Sequence, residues 1–232
     1  MLQLRGRIDR IDATTVDGKK YLRVIDYKSS DRDVDLSELY HGLSLQVVTY
    51  LDMALRNAEV LLQQEGLPAG MLYMHVQNPL LQYDTEVSQT RIEEDRLSEF
   101  KMKGIVTDEI DVLVQMDTTF EQCQPSQIIP AKLNKTGGLS STSRAISEQD
   151  FDVLRTFSQG KHIAAGNAIW QGDTSIAPFE HGERTGCQFC AYKSLCQFDV
   201  TDGKQHYRQL PKLKRSEALQ AMKEEITDEV TE

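Results

Sequence analysis

The sequence predicts an α/β fold with a mixed central sheet flanked by helices, and three observations carry that prediction. Two runs rich in β-formers, residues 4–12 and 21–28, flank the turn residues Val16-Asp17-Gly18-Lys19. A long segment with apolar residues at helical spacing follows, and after it a short apolar run, residues 71–76. Strand, strand, helix, strand in that order calls for a hairpin joined to a further strand by a helical crossover, hence a mixed sheet.

Each element has a local reason. Residues 4–12 alternate in character and residues 21–28 are rich in β-formers, so they pair as antiparallel strands. A polar loop with Asp31, Asp33 and Asp35 then leads into a helix expected over 36–64, where Leu39, Leu43, Val47, Tyr50, Leu51, Ala54 and Leu55 recur on one face. Gly66, Pro68 and Gly70 close it. Short helices are expected over 93–102 and 108–115, a Gly and Ser rich loop over 136–143, and a helix over 148–170 with Ser147 as N-cap and Gly160 inside it. Residues 171–210 read as irregular. The organisation expected is a core over 1–90, a helical region packed on it over 91–182, a cysteine segment over 183–210, and a helix or tail over 211–232.

Composition bounds the function. The 232 residues, 39% hydrophobic and 27% charged, are enough to bury a core without staples. The longest uncharged stretch, 66–83, contains Pro68, His75, Gln77, Asn78 and Pro79 and cannot span a membrane, and the N-terminus lacks the apolar run of a signal peptide. A cytoplasmic protein is expected. The net charge of −10 argues at first against a nucleic-acid partner, but it is unevenly spread. Residues 1–50 hold eight basic and eight acidic side chains, residues 51–182 hold ten and nineteen, and residues 183–215 hold seven and three. No G-x-x-x-x-G-K-[ST] occurs, so no ATP-hydrolysing P-loop lies in this chain, and Asn134-Lys135-Thr136-Gly137-Gly138 is a flexible loop.

Chemistry concentrates in the hairpin. Asp26 and Lys28 are two apart on a strand and project from one face, while Tyr27 points away. If register puts Asp9 beside Asp26, two carboxylates and an ammonium share a patch that a hard divalent cation would neutralise. A lysine there can orient or deprotonate a water and steady charge on a phosphate. An Asp and Lys at this spacing are otherwise an ordinary surface ion pair, but Asp26 interrupts an apolar run, Val24-Ile25-Asp26-Tyr27, where a carboxylate is unusual. Gln46 and Tyr50, four apart on the following helix, share a face from which they could reach the lysine.

Gly6-Arg7-Ile8-Asp9-Arg10-Ile11-Asp12, then Ile25-Asp26-Tyr27-Lys28, then Gln46 and Tyr50, resemble in order and spacing the motifs of the PD-(D/E)XK nuclease superfamily in its RecB-like branch. The resemblance implies a restriction-endonuclease-like core and Mg²⁺-dependent DNA cleavage. It implies that Asp9 and Asp26 are metal ligands, with the Tyr27 carbonyl as a further one. Lys28 would be the catalytic lysine, supported by Gln46 and Tyr50. Asp12 is a possible substitute for Asp9, but the spacing from Gly6 favours Asp9.

Cys187, Cys190 and Cys196 form a C-x2-C-x5-C cluster, with Cys123 far away. Such spacing in a cytoplasmic chain suggests soft-metal ligation over disulfides, with zinc and iron–sulfur comparable and Cys123, His181 or His206 able to complete a zinc site. A trio of buried thiols is the plain alternative. The cluster resembles the C-terminal trio of AddB-type subunits of bacterial helicase–nucleases, as do residues 70–79 and Pro178-Phe179. That resemblance implies a [4Fe–4S] cluster held by Cys187, Cys190, Cys196 and a fourth cysteine upstream of this chain, which is expected to be the C-terminal portion of a longer protein. It also implies an AddA-type helicase–nuclease partner in a heterodimer, and cutting of single-stranded DNA during double-strand-break repair by recombination. Two competing readings stand beside it: an inactive nuclease-derived DNA-binding or interaction module stapled by iron–sulfur or zinc, and a zinc-stapled interaction domain of unrelated fold.

Overall fold

The structure is a computed structural model that describes residues 3–120, 125–201 and 203–231. Strands β1 (Arg10–Val16) and β2 (Lys19–Lys28) form the hairpin. Asp17 and Gly18 both take left-handed backbone, with φ of 49° and 75°, as a two-residue turn matched to strand twist requires. Counting outward from that turn fixes the register from Val16↔Lys19 to Arg10↔Ile25. The first strand therefore occupies Arg10–Val16 and not residues 4–12 as the alternation suggested. Beyond Arg10 the Asp9 carboxylate, through Oδ2, accepts the Tyr27 N–H at 3.0 Å in place of a ladder partner. Residues before it leave the sheet, and Gly6 lies against Tyr50.

The helical segment breaks into α1 (Leu36–Tyr40), α2 (Gln46–Arg56) and α3 (Ala58–Leu62), where a single helix over 36–64 was expected. Gly42, at φ 76°, ends the first, and the chain turns again at Asn57. The apolar spacing survives because all three pieces bury the same side. Strand β3 (Gly66–His75) runs parallel to β2 and starts earlier than the apolar run, through Pro68 and Gly70. Proline is tolerated there because pairing with the next strand begins only at Gly70, leaving one side of β3 unpaired at Pro68.

Residues 91–182 supply sheet as well as helix. After α4 (Gln89–Glu99), β4 (Lys103–Thr107) pairs antiparallel to β3; α5 (Ile110–Met116) follows, and β5 (Ala145–Ile146) adds parallel to β4. The sheet order is β1-β2-β3-β4-β5, mixed as expected. Helix α6 (Glu148–Trp170) has the bounds the sequence predicts, and the Ser147 hydroxyl accepts the Asp150 N–H at 3.2 Å, a cap worth about 1 kcal/mol. The stretch read as irregular contains a small sheet of β6 (Phe179–His181), β7 (Arg184–Thr185) and β8 (Arg208–Gln209), with the single turn α7 (Lys193–Cys196) between. The last element, α8 (Arg215–Thr231), is a packed helix whose Ala218 and Met222 are fully buried.

Alternation along the strands builds two cores. Leu22, Val24, Met71, Tyr73 and Ile105 face α1, α2, α6 and α8, whereas Ile25, Leu72 and Val106 face Leu113 of α5 together with Phe120, Ile129 and Leu133. No helix among the described residues is long and apolar enough to cross a membrane.

Candidate active site

The face of β2 that buries Leu22 and Val24 against α2 continues, two residues at a time, to Asp26 and Lys28. Asp26 is only 3% exposed, while Tyr27, on the opposite face, is 39% exposed. One step past Arg10↔Ile25, register brings Asp9 level with Asp26, and the bond from Asp9 to the Tyr27 N–H ties the two segments together. The Lys28 ammonium sits 2.5 Å from Asp26 Oδ2 and donates to Gln46 Oε1 at 2.8 Å. Gln46 in turn donates through Nε2 to the Tyr50 hydroxyl at 3.1 Å, along one face of α2. Glycine at position 6 lets the Tyr50 ring keep this place, since a Cβ there would stand 2.9 Å from Tyr50 Cε1 and the ring would have to shift. Asp26, Lys28, Gln46 and Tyr50 are thus brought into one chain of contacts, with Asp9 tied beside it through the Tyr27 N–H.

Asp12 belongs elsewhere. Its carboxylate binds Arg10 at 2.7 Å and Arg23 at 2.8 Å. Burial raises its pKa, but the guanidinium hydrogen bonds outweigh that and hold the carboxyl below its ordinary value. With both oxygens committed to arginines, it is a structural ion pair and no rival to Asp9.

Two neighbours were not singled out from sequence. Tyr73 pairs with Asp26 across β2 and β3, and its ring lies 5.5 Å from the Lys28 ammonium. Burial pushes its phenol up, so it stays neutral beside the lysine. His75 pairs with Lys28, and its Nε2 lies 3.3 Å from the Ser29 carbonyl. The alternation of residues 71–76 put Tyr73 on one face, but nothing local says which strand that face meets.

A carboxylate oxygen this buried should be hydrogen-bonded, yet Asp26 Oδ2 has no hydrogen-bond partner. The 2.5 Å contact with Lys28 is an ion pair whose geometry is poorly directed for a hydrogen bond. A buried carboxylate oxygen with an ionic partner but no hydrogen bond, level in register with a second aspartate, fits a hard cation. Among the described residues no three of His, Cys, Asp and Glu converge on a metal-sized site. Among the described residues the acidic side chains at this spot are the pair Asp9 and Asp26, which suits a cation that keeps most of its positions for water and phosphate oxygens.

The cysteine trio lies at the surface and does not gather. Cys187, Cys190 and Cys196 are free thiols, Cys190 exposed and the other two half-buried, and they do not converge on a common centre. The buried-thiol alternative is therefore excluded. Cys123 lies outside the described residues. His181 is buried with Nδ1 2.9 Å from the Leu210 carbonyl, and His206 is exposed; among the described residues neither forms a group of three potential metal ligands with the thiols. None of the described residues 182–210 is buried, and Phe189, Tyr192 and Leu195 are largely exposed.

A mixed sheet that presents Asp26-Tyr27-Lys28 at the end of its second strand, backed by a helix carrying Gln46, defines a nuclease core. The chain matches the PD-(D/E)XK nuclease superfamily over residues 1–197 and belongs to it. It is 47% identical to the B subunit of the ATP-dependent helicase/deoxyribonuclease of Lysinibacillus sphaericus (strain C3-41), over 96% of this chain and 19% of that protein. The protein of the same name from Listeria welshimeri is 42% identical over 95% of this chain and 19% of its own length. That from Bacillus anthracis is 40% identical over 98% and 20%. The chain spans about a fifth of the length of the curated relatives it matches.

Proposed function

We propose that this chain is the nuclease unit of a helicase–nuclease subunit and hydrolyses phosphodiester bonds of single-stranded DNA with Mg²⁺. It would act in the cytoplasm alongside an AddA-type helicase, during double-strand-break repair by recombination. The observation that carries the reading is the buried, under-bonded Asp26 carboxylate joined to a lysine that Gln46 and Tyr50 hold in place. The carboxylates of Asp9 and Asp26 and the carbonyl of Tyr27 would hold the cation. When bound, it would supply compact positive charge beside the scissile phosphate.

The remaining work falls to this chain's own side chains. Lys28 is placed to orient the attacking water and to steady the charge that builds on the phosphate as the P–O bond breaks. Gln46 fixes the ammonium by accepting a hydrogen bond from it, and with Asp26 on a second side the ammonium keeps donor capacity for water or phosphate. Tyr50 fixes Gln46 and can reach a backbone phosphate through its hydroxyl. A groove of about 730 Å³ opens beside Gln46 and Tyr50 and gives a strand room to approach.

The test is cleavage of an end-labelled single-stranded oligonucleotide by the protein with its helicase partner. Products are expected with Mg²⁺ and none with EDTA, and Gln46→Ala should slow cleavage about 10-fold by loosening the lysine. Cleavage that continued in EDTA, or its absence with Mg²⁺, would overturn the reading.

We further propose that Cys187, Cys190 and Cys196 ligate an iron–sulfur cluster with a fourth cysteine outside residues 1–232. The support is physical. A segment with three free thiols and no buried side chain has little apolar burial to hold its shape, and ligation supplies what burial does not. Anaerobically purified protein that includes flanking sequence should show visible charge-transfer absorbance, lost in Cys190→Ser. Stoichiometric zinc without iron would count against it.

A further inference from the structure

Residues 51–182 hold only ten basic side chains against nineteen acidic ones, yet four of the ten line one cleft. Lys101, Lys103, Lys132 and Arg144 surround a space of about 480 Å³. Arg144 binds Asp33 at 3.0 Å and Lys103 binds Asp31 at 2.7 Å. Lys101 and Lys132 make no such ion pair among the described residues, so the cleft keeps an excess of positive charge.

A fifth cation stands behind them. Arg215 donates to the Ser143 and Ala145 carbonyls at 3.4 and 2.7 Å, and burial together with the charge of nearby Arg144 holds its pKa below the ordinary value. Burial likewise lowers the pKa of Lys101. Asp31, Asp33, Asp117 and Asp150 lie near these five cations and offset part of their charge, but only Asp33 among the four lines the cleft, so an anion entering it meets the cationic side chains.

Position ties the cleft to the nuclease face. Asp26 pairs with Tyr73, and Tyr73 with Lys103, so Asp26 and Lys103 lie two strand spacings apart, about 10 Å. The loop bearing Asp31 and Asp33 begins directly after Lys28. The lining includes Met102, Pro125, Pro130 and Ala131 but no aromatic ring on which a base could stack. Cations in a cleft with no ring to hold a base are best placed for the backbone phosphates, where most protein–DNA hydrogen bonds go.

We infer that this cleft binds backbone phosphates of the DNA strand that the Asp26–Lys28 site cuts, at nucleotides to one side of the scissile bond. The inference rests on the nuclease reading for which strand is bound. The contact is independent of base sequence, as cutting a strand delivered by a motor requires.

The experiment is a salt series of fluorescence anisotropy titrations of a labelled oligothymidylate in EDTA, where no cleavage interferes. Lys101→Gln/Lys132→Gln should weaken binding, and the plot of log K against log salt should become shallower by about 1.4, about 0.7 for each phosphate released from its lysine. Lys132→Gln alone, at a half-exposed position, should give half that change and serves if the double variant folds poorly. Unchanged affinity and slope in both variants would overturn the inference. So would loss of inorganic phosphate binding with the oligonucleotide slope intact, which would make the cleft a small-anion site. Failure of the nuclease reading looks different: no cleavage with Mg²⁺, with the slope change still present.

Discussion

Asp26→Asn is expected to lower DNA cleavage by about 10³-fold or more while leaving the protein at least as stable as before. On the proposed mechanism, activity falls because the amide would not supply the anionic oxygen that a cation and Lys28 would both need. Stability holds because Asp26 is a buried charge with an oxygen that lacks a hydrogen bond, an arrangement that costs folding energy and that the proposed role in cleavage would explain. The lysine left behind has 27% of its side chain exposed and can turn towards water. Lys28→Ala is the opposite case. It strands a carboxylate whose side chain is only 4% exposed, so it should cost about 3 kcal/mol besides abolishing activity. Thermal unfolding of the two variants beside a cleavage assay separates the contributions. Cleavage by Asp26→Asn at the wild-type rate would remove Asp26 from the site, and equal destabilisation by both would remove the argument about its burial.

That asymmetry could not be read before the structure, although the pair itself could. Period-two alternation put Asp26 and Lys28 together, and the Asp17-Gly18 turn lets register be counted back to Asp9, even though the strand itself starts only at Arg10. Gln46 and Tyr50 share a face by spacing alone, and Ser147 announces α6 because capping is a local interaction. What failed was non-local. Residues 103–107 are too short a run to declare themselves a strand, and they become one because β3 offers an unpaired edge from Gly70 onward. Pro68 and Gly70 read as breakers because their tolerance depends on which neighbour is absent. The basic cleft joins residues from three separate stretches, and no local pattern brings Lys101, Lys132 and Arg144 together. Tyr73 reaches Lys28 only through the parallel pairing of β2 with β3.

The sheet that holds the two sites together depends on one residue with no side chain. Gly104, in β4, adopts φ 141°, and a Cβ placed on it would stand 2.3 Å from the Met71 carbonyl oxygen and 3.0 Å from Leu72 Cα. Both neighbours belong to β3, and Met71 and Leu72 are fully buried between the two cores, so neither can withdraw. Gly104→Ala should therefore destabilise the protein by about 3–5 kcal/mol, combining backbone strain of about 1–3 kcal/mol with overpacking of similar size. Gly172 provides the control, since its φ is 73° and nothing lies within 4 Å of an added Cβ. Gly172→Ala should cost only about 1–2 kcal/mol, the conformational part alone. Urea denaturation of both variants measures the difference, and equal losses would show that β3 yields after all. If it does not yield, relief comes only by pushing β4 away, which shifts Lys103 relative to Tyr73 and Asp26. Gly104→Ala should then weaken oligonucleotide binding even where the protein remains folded, because the cleft and the cutting site are spaced by this one pair of strands.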